Sequence, residues 1–465
     1  MSLPPCFATL DSSPRAVPLL ALTKDAFAAS LAVQPAATAR WAQAQGFSAE
    51  PGTVLCVPDP AGGIGSAIVG IGDPVDPYSI GHAPFALPVG DYRLVTAANQ
   101  LMSLSTALLG WGLGAYRFER YRKSSRAPAR LLLGDDATAQ SEAFTMLKAS
   151  TLVRDLINTP TEHMGPDELE AVSVRIANAY GARLRCIRGE ELLQHNFPAI
   201  HAVGRASHRA PRLIELSWGE AHHPLVTVVG KGVCFDTGGL DIKPADGMRN
   251  MKKDMGGAAH ALGLAQLVMA RRLPIRLQLL IPAVENAIGP NAFRPGEVLE
   301  TRAGITVEVD NTDAEGRLVL SDAMFYAAES KPDLLLDFAT LTGAARIALG
   351  PDLPALFCND EVLAADYLSA AAAQRDPLWR MPLWRPYLSY LVSNVADIAN
   401  SGGSRMAGCV TAALFLERFV SEGQRWAHVD VYSWNDSSRP GRPAGGEAQG
   451  LRAAYAMLQK RYAAD

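Results

Sequence analysis

The chain has 465 residues, 48% of them hydrophobic and 19% charged, with a net charge of −4. That length predicts two to three domains and a sizeable core, and the composition excludes a disordered chain. The mild acidity excludes a global basic field aimed at nucleic acid or an anionic membrane. Cys6, Cys56, Cys186, Cys234, Cys358 and Cys409 lie far apart without a C-x-x-C pair. They read as reduced thiols rather than a zinc ribbon or a disulfide framework. Met1 to Lys24 lacks a basic segment, and its apolar run Val17 to Leu22 is too short for a secretion signal. No apolar run nears the roughly 18 residues of a membrane span. The expectation is a cytoplasmic protein with no membrane partner.

Residues 1–135 read as a small N-terminal α/β domain. Thr53–Val57 and Ala67–Ile71 are short strands, with Asp59–Gly65 between them as a hairpin loop, and Arg130–Gly134 is a last strand. The glycines of that loop open no helix, so a turn is favoured over a phosphate cradle. Arg117, Arg120, Arg122, Lys123, Arg126 and Arg130 form a locally basic stretch. It reads as a solvated segment near a domain border, with an anion or nucleic-acid contact as the other reading. Residues 136–160 read as a linking helix broken at Asn158–Thr161, and Gly165-Pro166-Asp167-Glu168 starts the next helix. From 161 to 465 strands and helices alternate. Leu225–Val229, Ile275–Ile281, Ile305–Val309, Leu334–Phe338 and Trp426–Val431 are strands; Gly256–Arg271, Val410–Phe419 and Gly450–Tyr462 are helices. This pattern predicts an α/β catalytic domain with a mainly parallel sheet flanked by helices.

Charged residues gather where those strands end. Asp310-Asn311-Thr312-Asp313-Ala314-Glu315-Gly316-Arg317-Leu318 joins a strand to a helix. Asp313 and Glu315 are two apart, so an extended chain points both to one side. Lys231 and Asp236 lie in a glycine-rich turn after Leu225–Val229, Lys243 sits in Ile242-Lys243-Pro244, and Asp254 precedes a helix. Each has a plain alternative: a capping acid in a polar loop, solvated lysines, an Asx-turn at Asp236, a helix N-cap at Asp254. Together, four carboxylates at the ends of one sheet need more positive charge than Lys231, Lys243 and Arg317 supply. One or two divalent cations would supply it. Oxygen-rich ligation suits magnesium and manganese, and zinc tolerates it. No histidine lies at ligand spacing to another; His222, His223 and His260 read as structural.

The run Val229–Gly239, Ile242-Lys243-Pro244, Met251–Ala259 and the octapeptide Asn311–Leu318 closely resemble the leucyl aminopeptidase family, the cytosolic two-metal exopeptidases. The resemblance covers about residues 150–455 and includes Arg154–Pro160, Ala339–Ala344 and Ser393–Asn400; the first 135 or so residues show no clear match. It implies removal of N-terminal amino acids from peptides with a free N-terminus, through a metal-bound water. It places a tightly held metal on Lys231, Asp236, Asp254 and Glu315, and a more exchangeable one on Asp236, Asp313 and Glu315. Zinc, manganese or magnesium would occupy them. Lys243 would stabilise the oxyanion, and Arg317 would hold a bicarbonate acting as general base. Met251, Thr340, Leu341 and Gly343 would line the substrate pocket, and the assembly would be a homohexamer. Two departures stand out. Thr237-Gly238-Gly239-Leu240-Asp241 replaces Ser-Gly-Gly-x-Ser, and Gly445–Gly450 replaces Gly-Ala-Thr-Gly. The first adds an acid near Lys243; the second puts the leucine preference in doubt. Two other functions stay open: a nucleic-acid-binding regulator on the same fold, and a two-metal hydrolase of phosphoesters.

Overall fold

A computed structural model describes residues 3–10, 13, 15–31, 34–95 and 102–463. Met1, Ser2, Asp11, Ser12 and Pro14, within the N-terminal stretch discussed above, lie outside the described residues. The chain divides into two units, Met1–Thr151 with Asn435–Ala444, and Leu152–Trp434 with Gly445–Asp465. The boundary falls inside one long helix, Ala137–Asn158.

In the first unit six strands make one sheet: β1 (Phe7–Ala8), β2 (Val17–Leu22), β3 (Val54–Pro58), β4 (Ile64–Gly70), β5 (Asp91–Leu94) and β6 (Arg130–Leu132), in the order β1-β6-β5-β2-β4-β3. Only β3 and β4 pair antiparallel, so the glycine-rich segment between them is a hairpin turn. Asp59 closes it: its Oδ1 accepts from the Ala61 and Gly63 amides, both at 2.8 Å. The basic stretch is largely occupied within the unit. The Arg117 guanidinium lies 3.8 Å over the Phe85 ring, Arg126 donates to Phe85 O and Leu87 O, and Arg130 pairs with Asp91 at 2.5 Å.

In the second unit the main strands are β7 (Arg183–Arg188), β8 (Arg212–Trp218), β9 (Leu225–Gly230), β10 (Gly232–Asp236), β11 (Arg276–Asn286), β14 (Leu334–Ala339), β15 (Ala355–Cys358), β16 (Trp379–Arg380) and β18 (Trp426–Asp430). They form a nine-stranded sheet in the order β16-β15-β18-β14-β9-β11-β8-β7, with β10 pairing β11. The centre, β18-β14-β9-β11, is parallel; β15 pairs antiparallel with β18, and β8 with β11 and β7. Parallel strands covered on both faces should be apolar throughout, and all six residues of β14 are buried. Helix Gly256–Ala270 is buried along nearly its whole length, as an interior helix with little polar face should be.

One strand differs from expectation. Ile305–Val309 contains β13 (Thr306–Glu308), which belongs to a separate small sheet with β12 (Val298–Glu300) and β17 (Ile398–Ala399). The acidic octapeptide therefore enters the site from outside the central sheet.

Candidate active site

The carboxyl ends of the parallel strands bring their loops together. Lys231 follows β9 and its backbone N–H donates to Phe338 O of β14. Asp236 ends β10, Thr340 follows β14, and Asp430 ends β18. The Lys231 ammonium, 3% exposed, lies 2.7 Å from Asp254 Oδ2, 3.1 Å from Glu315 Oε1 and 3.0 Å from Thr340 O. Glycine at 316 leaves room for the lysine, since a Cβ there would sit 2.4 Å from Lys231 Cε and push that side chain aside. Lys243 Nζ contacts Asp236 Oδ2 at 2.8 Å and also pairs with Asp313 Oδ1. One oxygen each from Asp236, Asp313 and Glu315 lie within 4.8 Å of one another.

The charges perturb each other strongly. Burial, reinforced by Asp236 and Asp254, pushes Glu315 up to about 8. Burial and Asp236 push Asp313 up to about 6, and burial also raises Asp254. For Lys231 and Lys243 burial works against the ammonium, but the facing carboxylates outweigh it and hold both above the ordinary lysine range. Arg317, buried in the first turn of helix Glu315–Glu329, is lowered to about 10 by burial. Its Nη1 donates to Asn400 O at 2.6 Å while its Nε has no hydrogen-bond partner. A buried guanidinium with a spare donor is suited to hold an anion.

Several expectations need correction in their physical reasons. Asp313 and Glu315 converge, but not through an extended chain: Asn311–Ala314 is a turn, closed by Ala314 N donating to Asn311 O, and Glu315 opens the helix. Asp254 does not cap helix Gly256–Ala270; its carboxylate takes Lys231 and the Thr340 hydroxyl, the latter at 2.9 Å. Asp236 does make the Asx-turn, accepting from Gly238 N at 2.9 Å, and it faces the cluster through its other oxygen. Gly238 has φ +86°, a backbone that favours glycine. Met251 opens the turn Met251–Met255, Leu341 N donates to Asp430, and Gly343 starts helix Gly343–Leu349 with open space where a side chain would be. The Thr340 hydroxyl is spent on Asp254. His260 uses both ring nitrogens structurally, on Gly256 O and Gln449 N.

Sequence reasoning missed the residues that hold this loop set in place. Asn400 is fully buried; its Oδ1 accepts from the Asp310 and Asn311 amides, and its Nδ2 donates to Asn311 O and Ala314 O. Asp430 accepts from Leu341 N, Thr342 N and the Thr342 hydroxyl. Asp241 reaches the octapeptide rather than Lys243, accepting from Thr312 N at 2.8 Å. Glu447, in the second departure, is 1% exposed and forms a buried pair with Arg154. The available signal was a polar residue ending an apolar run, as at Glu285-Asn286 and Val429-Asp430.

Two family models cover these elements: the cytosol aminopeptidase family, catalytic domain, over residues 151–455, and the M17 aminopeptidase N-terminal domain over residues 17–134. The chain belongs to the cytosol aminopeptidase family. The second match corrects the expectation that the first 135 or so residues lack a resemblance. The chain is 37% identical over 399 residues to a probable cytosol aminopeptidase of Syntrophotalea carbinolica, covering 82% of this chain and 78% of that one. Among solved structures it is similar to the cytosol aminopeptidase of Coxiella burnetii, with a TM-score of 0.94, 48% identity, and 98% and 99% of the two chains covered. It is also similar to the bottromycin maturation enzyme BotP in complex with Mn, with a TM-score of 0.86, 30% identity, and 96% and 99% covered. The protein is a metal-dependent aminopeptidase, a hydrolase of the leucyl-aminopeptidase-like exopeptidase type. The comparisons give no support to a nucleic-acid-binding regulator. No helix among the described residues is long and apolar enough to cross a membrane.

Proposed function

We propose that Lys231, Asp236, Asp254, Asp313 and Glu315 hold two divalent cations, with Asp236 and Glu315 shared between them. The observation that carries this is the oxygen cluster of Asp236, Asp313 and Glu315, within 4.8 Å, together with a buried Glu315 Oε2 that has no hydrogen-bond partner. Asp236 and Glu315 are buried and Asp313 is partly exposed, and carboxylates this close are costly unless a cation neutralises them. Oxygen donors with one amine suit zinc or manganese, with magnesium as a further candidate. Such a pair, when bound, acidifies water and polarises a carbonyl. A lysine ligates only as the neutral amine, so loading releases the Lys231 proton.

The remaining roles belong to side chains. Lys243 keeps its proton at Nζ and offers it as a charged donor to the oxygen that gains charge in peptide hydrolysis. Arg317 holds an anion, bicarbonate, that accepts the proton of the attacking water. Met251, Thr340, Leu341 and Gly343 form the wall for the N-terminal side chain, Thr340 by its backbone since its hydroxyl is committed. The substrates are peptides with a free N-terminus. We infer also a cytoplasmic homohexamer, and a division into an N-terminal domain (1–135), a linking helix (136–160) and a catalytic domain (161–465).

Amino-acid anilides assayed against purified protein test this reading. Hydrolysis should disappear on chelation and return with Mn(II) or Zn(II). Undiminished hydrolysis with fewer than one metal per chain would refute the metal assignment.

A further inference from the structure

Asn286 ends β11 and is 1% exposed. Its Nδ2 donates to Asp236 Oδ1 at 2.9 Å and to Thr312 O at 3.0 Å. Both partners are acceptors, so only the amide nitrogen can face them. Its backbone carbonyl accepts from Thr237 N at 3.1 Å and from the Thr237 hydroxyl at 2.8 Å. One residue thus grips the Asp236 turn by main chain and side chain, and the octapeptide turn by side chain.

Two consequences follow for the cluster. Asp236 Oδ1 already accepts from Gly238 N and from Asn286, so Oδ2 is the oxygen left facing Lys243. The loop carrying Asp313 comes from the small sheet and the loop carrying Asp236 from the central one. The Asn286 amide joins them, reaching Asp236 itself and the carbonyl oxygen of Thr312, the residue before Asp313. We propose that Asn286 is a positioning residue: it selects the oxygen of Asp236 that faces the centre and sets the spacing between the Asp236 and Asp313 carboxylates. The proposal rests on reading that cluster as the metal site. Groups that orient metal ligands in this way change metal affinity roughly 10- to 100-fold when removed.

The test compares wild type, Asn286→Leu, Asn286→Ser and a remote control, Thr227→Val. The control removes a buried 3.0 Å hydrogen bond to Gln278 within the central sheet. Mn(II) affinity and stoichiometry are measured by competition with a chromogenic chelator, alongside melting curves and, at saturating Mn(II), kcat and KM. Asn286→Leu, similar in volume but without a donor, should bind the weaker Mn(II) 10- to 100-fold less tightly. Its kcat should fall with KM nearly unchanged. Asn286→Ser, which keeps a short donor, should lose less, and it carries the test if the leucine variant does not fold. Thr227→Val should melt earlier with unaltered Mn(II) affinity. Unchanged affinity in the Asn286 variants, or an equal loss in Thr227→Val, would overturn the positioning role. A wild type that binds no Mn(II) would instead overturn the metal-site reading itself.

Discussion

Replacing Glu315 by glutamine should stabilise the metal-free protein while it destroys activity. Glu315 is 1% exposed, and burial with Asp236 raises its carboxyl from 4.5 to about 8. Below the lower value folded and unfolded chains both hold the proton; above the upper one both have lost it. Between them the folded chain holds a proton that the unfolded chain has released, so stability falls as pH rises, by about 1.4 kcal/mol per unit for one group. Across that window the loss is on the order of 4–5 kcal/mol, and the measured midpoint belongs to the whole carboxylate cluster. Glu315→Gln keeps the shape and removes the titration. Its metal-free stability should fall less steeply than that of wild type from pH 5.5 to 8.5, with Asp313 and Asp322 still titrating, and exceed that of metal-free wild type at the alkaline end. Mn(II) at a hundredfold excess over its Kd should return about 2.7 kcal/mol to wild type at pH 8 and far less to the variant. Urea unfolding followed by circular dichroism, in EDTA and in Mn(II), reads all of this. A metal-free wild type whose stability is flat or rises over that range, or a Gln variant that falls as steeply, would refute the assignment.

Lys243→Ala should lower kcat roughly 10²- to 10³-fold, as loss of an oxyanion donor does, with metal content by mass spectrometry unchanged; a fall explained by lost metal would remove its proposed role. Added bicarbonate should raise the wild-type rate and leave Arg317→Ala unaffected, whereas equal stimulation of both would place the anion elsewhere. Glu447→Ala removes the carboxylate that pairs with the buried Arg154 guanidinium, so it should cost about 3–5 kcal/mol in urea unfolding; a cost under about 1 kcal/mol would show that the pair is not structural.

How much of this was legible depends on the range of the interaction. The octapeptide and the lysine and aspartate turns were readable because their chemistry is local: charged residues concentrated where apolar runs stop. The shape of that chemistry was not. Asp313 and Glu315 meet through a turn and a helix start, although a spacing of two suggested extended chain. Thr306–Glu308 has the alternation of any strand, and nothing in five residues says which sheet it joins. The N-terminal unit carries no concentrated chemistry, so its kinship surfaced only through a whole-domain comparison.

The two departures from the family pattern show the same limit from the other side. Asp241 and Glu447 look in sequence like charges added to the site. Each instead spends its carboxylate on a partner distant along the chain, Thr312 or Arg154. The charge of Glu447 is matched by the Arg154 guanidinium, and Asp241 is exposed, so water screens its field at Lys243. Their contribution is to fix backbone: Asp241 ties the turn after Asp236 to the octapeptide, as Asn286 does from beneath and Asn400 from the small sheet. Three polar side chains converge on residues 310–314 and restrain that turn. Such restraint is what a pair of cations separated by a few ångströms requires of its ligands, since small displacements of a carboxylate change coordination more than they change the fold.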